Sequence, residues 1–236
     1  MRRFMSLAII AGISLLLAGA VRRADVKAQP QLLTGILNKM RRAHQELKSL
    51  KAEIVQEKTN TQISVTDSTY NQLLYKPGAG KSNQKLRIDY TKPSQDVLAV
   101  DGDKFVYYQP RINQAVRGLA SKLTKGKQDG LAHILTKVLS GSLESMSSEY
   151  ELSFVKDEMV EGVMTSMVRA IPKSNNQFKS IDIWINQQTS IPVRFSATER
   201  NSDVTMFTFK NMKLNENVSD ERFRLSLPSE TKIVNN

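Results

Sequence analysis

The sequence contains no cysteine. That excludes disulfides, thiol nucleophiles and cysteine-ligated metals. Histidine is scarce: His44 and His133 are the two present, and neither has a second ligand at metal spacing. Aromatic residues make up 6% of the chain, with Trp184 the sole tryptophan. No G-x-S-x-G elbow occurs. Asp101 and Asp103 flank a turn glycine, and Asp157, Glu158 and Glu161 surround a hairpin, so no paired-carboxylate site is formed. Pro77-Gly78-Ala79-Gly80-Lys81-Ser82 resembles a phosphate loop only in part, because Tyr75 stands where the first glycine is required. Internal repeats and low-complexity segments are absent. A catalytic constellation is therefore not expected, nor a metal or other cofactor.

The amino terminus has a clear character. Met1-Arg2-Arg3-Phe4 is a positive region, and Met5–Val21 follows without a charge. Ala18-Gly19-Ala20 and Val26-Lys27-Ala28 both offer small-residue cleavage sites. This is the pattern of a cleaved secretory signal over residues 1–28. Its apolar run falls short of the roughly 20 residues that span a bilayer. Leu17-Ala18-Gly19-Ala20 places alanine where bacterial lipoproteins carry the lipidated cysteine, so a released, periplasmic protein is expected. Residues 29–236 are expected to form one domain. Of the formal charge of +11, +7 lies from Gln29 onward. A basic surface suits an acidic partner or anionic membrane. Nucleic acid is not expected, since the basic residues are scattered rather than grouped with aromatics.

The chain is organised around Lys85–Tyr108. Leu86, Ile88 and Tyr90 alternate with Lys85, Arg87 and Asp89, as in a half-buried strand. Lys92-Pro93-Ser94 interrupts it. Asp96–Val100 and Phe105–Gln109 form a hairpin through Asp101-Gly102. Upstream, Pro30–Lys48 reads as a helix whose stripe is Leu33, Ile36, Leu37, Met40, Ala43 and Leu47. Leu50–Lys58, Ile63–Asp67 and Ser68–Lys76 read as strands. Pro110–Lys127 reads as an irregular basic link. Asp129–Leu139 reads as a second helix with Leu131, Ile134, Leu135, Val138 and Leu139 on its apolar face, and Leu143–Met146 as a further turn. Tyr150–Asp157, Val163–Pro172, Phe178–Asn186, Ile191–Glu199, Val204–Lys213 and Phe223–Leu227 complete a meander of strands. Such regular spacing argues for a sandwich or barrel. Met40, Met146, Met159, Met164, Met167, Met206 and Met212 supply soft apolar side chains suited to a lined cavity as well as to a core.

The series Tyr90, Pro93, Val97–Val100, Asp101-Gly102, Tyr107-Tyr108, Pro110 and Asn113-Gln114-Ala115 resembles the centre of the outer-membrane lipoprotein carrier (LolA-like) family. Ile171-Pro172, Ile181–Ile185, Ile191-Pro192, Phe207–Asn211, Asp220–Phe223 and Leu227-Pro228 continue the resemblance in order, over about Gln29–Val234. It implies a mainly β (α+β) fold: an incomplete antiparallel barrel of roughly a dozen strands under a helical lid. It also implies a periplasmic, non-enzymatic, monomeric carrier of acylated lipoproteins. Such a carrier takes cargo from an inner-membrane ABC transporter of the LolCDE type and passes it to an outer-membrane acceptor lipoprotein. A lipid-binding sensor or regulator on the same half-barrel is the alternative. Expected acyl-binding residues are Ile36, Met40, Leu47, Ile88, Tyr90, Phe105, Tyr107, Leu131, Ile134, Leu135, Val138, Leu139, Trp184 and Phe207. The family's arginine latch for the lid corresponds to Lys76, with Arg87 as substitute. Arg41, Arg42, Lys122, Lys125 and Lys127 are the expected partner-binding residues.

Overall fold

The computed structural model describes residues 28–78, 83–120, 139, 146–175 and 177–236. Among the described residues, helix α1 (Ala28–Glu46) precedes twelve strands. These are β1 (Leu50–Asn60), β2 (Val65–Lys76), β3 (Lys85–Lys92), β4 (Val97–Asp101), β5 (Lys104–Gln109) and β6 (Gln114–Leu119), then β7 (Tyr150–Val160), β8 (Val163–Pro172), β9 (Phe178–Asn186), β10 (Pro192–Glu199), β11 (Val204–Leu214) and β12 (Lys232–Asn235). All lie in a single sheet of order β12-β6-β5-β4-β3-β2-β1-β11-β10-β9-β8-β7. Two antiparallel meanders, β1–β6 and β7–β11, are joined where β1 pairs with β11, Ile54 lying opposite Phe209. The sheet does not close, with β12 and β7 at its ends. This is the incomplete barrel that the resemblance implies.

The turns explain the meanders. Gly102 takes φ 66° between β4 and β5, and Glu161-Gly162 takes φ 48° and 79° between β7 and β8. Consecutive positive φ values twist a tight hairpin in the same sense as its strands. The strands alternate, so the sheet has two unlike faces. On the inner face, Leu50, Ile54, Leu73, Ile88, Val168, Ile183 and Phe195 are all fully buried in one large cluster. Met40 and Leu47 of α1 and the α1–β1 connection belong to the same cluster, and Leu33, Ile36, Leu37 and Ala43 pack against it. The outer face carries two smaller clusters. One joins Val160, Met167, Trp184 and Val193; the other joins Leu74, Val218 and Phe223.

Three expectations are corrected. Ile63–Asp67 and Ser68–Lys76 are not two strands: Val65–Lys76 is one, and Ile63 lies in the preceding turn. Asn60 makes that turn by accepting through Oδ1 from the Gln62 and Ile63 amides, at 3.0 and 3.4 Å, an Asx turn. Second, the segment after Pro110 is not wholly irregular. Pro110–Ile112 makes a 3-10 turn, Asn113 adopts φ 44°, and the chain returns as β6. Gly118 is needed there, because a Cβ would lie 2.8 Å from the Phe105 ring and 2.9 Å from the Asn236 carbonyl oxygen. Third, Phe223–Leu227 is not a strand. Asp220–Phe223 is a 3-10 turn, and the last strand is β12, which pairs in parallel with β6. Phe223 is buried as a single plug against the outer face, which breaks any period-2 pattern. Of the expected second helix and following turn, only Leu139 and Met146 lie within the described residues; both are buried in the inner cluster.

Candidate ligand-binding site

The inner wall is built in rows that run across the strands. Tyr75, Leu86, Val100 and Phe105 are register partners along one row of β2–β5. Leu73, Ile88, Leu98 and Tyr107 form the next. Both rows are closed against solvent except at the tyrosine. On the other half, Phe195 stacks on Phe207 at 4.4 Å and 24°, with Phe209 6.1 Å away. Helix α1 lies over this wall because its stripe has nowhere else to bury apolar area, at about 25 cal/mol per Å². His44 faces Tyr75, Nε2 to Oη 3.4 Å. Burial pushes the His44 imidazole below its ordinary value and the Tyr75 phenol well above its own. Both therefore sit here neutral near pH 7.

Between the first half of α1 and strands β7–β9 the wall opens into a cleft of about 590 Å³. Ile36, Gly35 and Leu32 line it from the helix, and Phe154 and Ile185 line it from the sheet. Gln31 and Lys39 line its helix side, and part of the polar lining on the sheet side is already engaged. The Ser166 hydroxyl donates to Asp157 at 2.7 Å and accepts from the Gln187 amide at 3.0 Å. Asn186 Oδ1 accepts from the Gln188 and Thr189 amides at 2.8 and 3.2 Å. The cleft thus offers apolar surface from Leu32, Ile36, Phe154 and Ile185, which suits a flexible apolar chain. Leu32 is 52% exposed beside it.

Among the expected acyl-binding residues, Met40, Leu47, Ile88, Phe105, Leu139 and Phe207 lie in the inner cluster, and Ile36, Tyr90 and Tyr107 pack against it. Tyr90 and Tyr107 meet edge to face at 6.5 Å. Trp184 does not join them. Ile181, Ile183 and Ile185 take the inner face of β9, so alternation turns Trp184 outward, where Nε1 donates to Glu158 at 2.6 Å. The Ile-x-Ile-x-Ile pattern carries that information. Leu131, Ile134, Leu135, Val138, Lys122, Lys125 and Lys127 lie outside the described residues. Arg41 and Arg42 are exposed on α1. The expectations above did not name Leu32, Gly35, Phe154 and Ile185 as site residues. Ile185 is legible from its strand; the other three become neighbours only when α1 crosses β7.

The latch candidates sit on the outer face. Lys76 Nζ donates to the Val218 carbonyl at 3.1 Å and to Asp220 at 2.6 Å. Lys85 reaches the other Asp220 oxygen at 3.0 Å. Arg87 holds Asp89 bidentately and donates to the Arg222 carbonyl at 2.9 Å. These groups strap the segment before β12 across β2 and β3. Lys76, then Lys85, hold the Asp220 carboxyl down from 3.8 to about 2. A depressed carboxylate stabilises fully above its unfolded value and ceases to do so as pH falls through its folded one. The amides of Arg222 and Arg224, which donate to Ser219 and Glu221, are therefore expected to lose exchange protection as pH falls from 3.8 to about 2. Asp220→Asn removes that pH dependence. Protection that stays level across the window in the unmutated protein refutes the strap.

The architecture, an open half-barrel with an apolar inner wall under a helix, is that of a ligand-sheltering scaffold. The family model of the outer membrane lipoprotein carrier protein LolA matches residues 45–226, and the chain belongs to that family. Among solved structures, an uncharacterized conserved protein from Thermus thermophilus has a TM-score of 0.58 at 11% identity, covering 87% of this chain and 100% of that one. The Pseudomonas aeruginosa MucA/MucB complex gives 0.52 at 11% identity, covering 82% of this chain and 60% of that chain. An uncharacterized protein of Methanocaldococcus jannaschii is 22% identical over 200 residues, 84% of this chain. The chain spans about half of that relative, 52%, and under two-thirds of MucB, 64%.

Proposed function

We propose that this protein is a periplasmic carrier that shelters the acyl chains of lipoproteins. In this reading it receives them from an ABC transporter of the LolCDE type and yields them to an outer-membrane acceptor. The observation that carries the reading is the apolar cleft under α1, opening beside the inner wall of an unclosed sheet. Each buried CH₂ is worth about 0.8 kcal/mol, so multiply acylated cargo needs such shelter to cross water. Transfer needs no energy source in the carrier if the next site is more apolar. Family membership supports the cargo class, and the signal-like amino terminus supports the compartment. The expected cofactor requirement is none.

Native mass spectrometry of protein purified from periplasm is the test. Adducts carrying an acylated peptide are the expected result. Adducts of free lipid alone favour the sensor on the same half-barrel, and protein that never carries lipid under any loading condition refutes both.

A further inference from the structure

Asn71 sits on the inner face of β2, between Ile54 of β1 and Tyr90 of β3. It is 2% exposed. Among the described residues neither its Oδ1 nor its Nδ2 has a hydrogen-bond partner. Two positions along the same face, the Thr69 hydroxyl oxygen is also buried and unpartnered. Several other buried polar side chains have partners. Thr165 donates to the Glu158 carbonyl at 2.7 Å, Ser166 to Asp157 at 2.7 Å, and Ser49 to the Glu216 carbonyl at 2.5 Å. Thr208 accepts from Arg194 at 3.1 Å. Leaving a buried amide unpaired forfeits the hydrogen bonds it made to water in the unfolded chain. Asn71 and Thr69 also mark a boundary. The inner-face positions before them on β2, Tyr75 and Leu73, belong to the buried cluster, whereas beyond Asn71 the same face of β2 continues with Thr69 and Asp67.

We propose that Asn71, with Thr69 beside it, is the polar anchor of the cargo site and binds the amide that joins an acyl chain to its peptide. The proposal rests on the carrier reading and specifies its ligand. An asparagine side chain carries two donors and an acceptor. A ligand amide satisfies both kinds: its N–H donates to Oδ1, and its carbonyl accepts from Nδ2 or from the Thr69 hydroxyl. An ester has acceptors only and leaves Oδ1 unpaired, while a hydrocarbon pairs with neither. The amide is covered in this structure, so cargo reaches it by displacing what covers it.

Two probes of equal chain length test this: a peptide N-palmitoylated through an amide, and its O-palmitoyl ester counterpart. The wild-type protein is expected to bind the amide about tenfold more tightly or better, the consequence of leaving a buried acceptor unpaired. Asn71→Val is expected to abolish that preference while raising the thermal midpoint, because the uncompensated amide is removed. Equal affinity of the wild type for the two probes overturns the anchor and leaves the carrier reading intact. So does an Asn71→Val protein that retains the preference. Failure of the wild type to bind either probe sinks the carrier reading itself. The wild-type comparison needs no variant, so it decides the matter even if Asn71→Val does not fold.

Discussion

Gly35→Trp is expected to remove acyl-probe binding from this protein while leaving it folded and at least as stable. Gly35 lies inside α1 and lines the cleft, and a Cβ built there meets nothing within 4 Å. Glycine in a helix interior costs about 0.5–1 kcal/mol relative to alanine, so most replacements gain helix stability. An indole from this position projects into the 590 Å³ that a chain would fill. Probe affinity should fall at least about tenfold, the equivalent of two buried methylenes denied to the ligand. Gly35→Ala is the control. It should raise the thermal midpoint by about 2–4 °C, as expected for roughly 1 kcal/mol in a domain of this size, and bind probe as before. Undiminished binding by a folded Gly35→Trp protein would show that acyl chains do not use this cleft.

Phe195→Ala should be the most destabilising of the single changes considered, by about 3–5 kcal/mol. Phe195 is fully buried and lies opposite Ile183 of β9 and Phe207 of β11. It joins the packing of β9 to that of β11, the strand that β1 pairs with. Its ring stacks on Phe207 at 4.4 Å, and such pairs add about 0.5–1.5 kcal/mol beyond area. Urea unfolding of the single and double alanine variants at 195 and 207 measures both terms. A loss below about 1 kcal/mol would mean that the inner wall is not packed as described.

Much of this architecture is legible in the sequence, and the exceptions have physical causes. β3 is plain from alternation, because one face meets a core and the other is partly open to water, and β4 and β5 from their apolar runs about the Asp-Gly turn. β6 and β12 are the strands that alternation misses, and they pair with each other. Lys232–Asn235 is exposed throughout, so its stability comes from backbone pairing, to which side-chain pattern is blind. Trp184 is among the expected acyl-binding residues, yet Ile183 and Ile185 on either side settle the face of β9. Lys76 and Arg87 read as latch residues for a lid, whereas their contacts run to Val218, Asp220 and Arg222. That pairing spans a separation in sequence which no local pattern records.

The sequence by itself determined the mainly β class, the meander turns, the buried stripe of α1 and the lack of thiol chemistry. These follow from dihedral preferences, from alternation at periods of 2 and 3.6, and from composition, all of which act over a few residues. Only the tertiary structure decided which strands close the edge at β6, where α1 crosses the sheet, and therefore that Gly35, Phe154 and Ile185 share one cleft. It alone leaves Asn71 buried between Ile54 and Tyr90 without a partner among the described residues. Such facts depend on which distant residues the folded chain brings to one place, and on the polar group that none of them supplies.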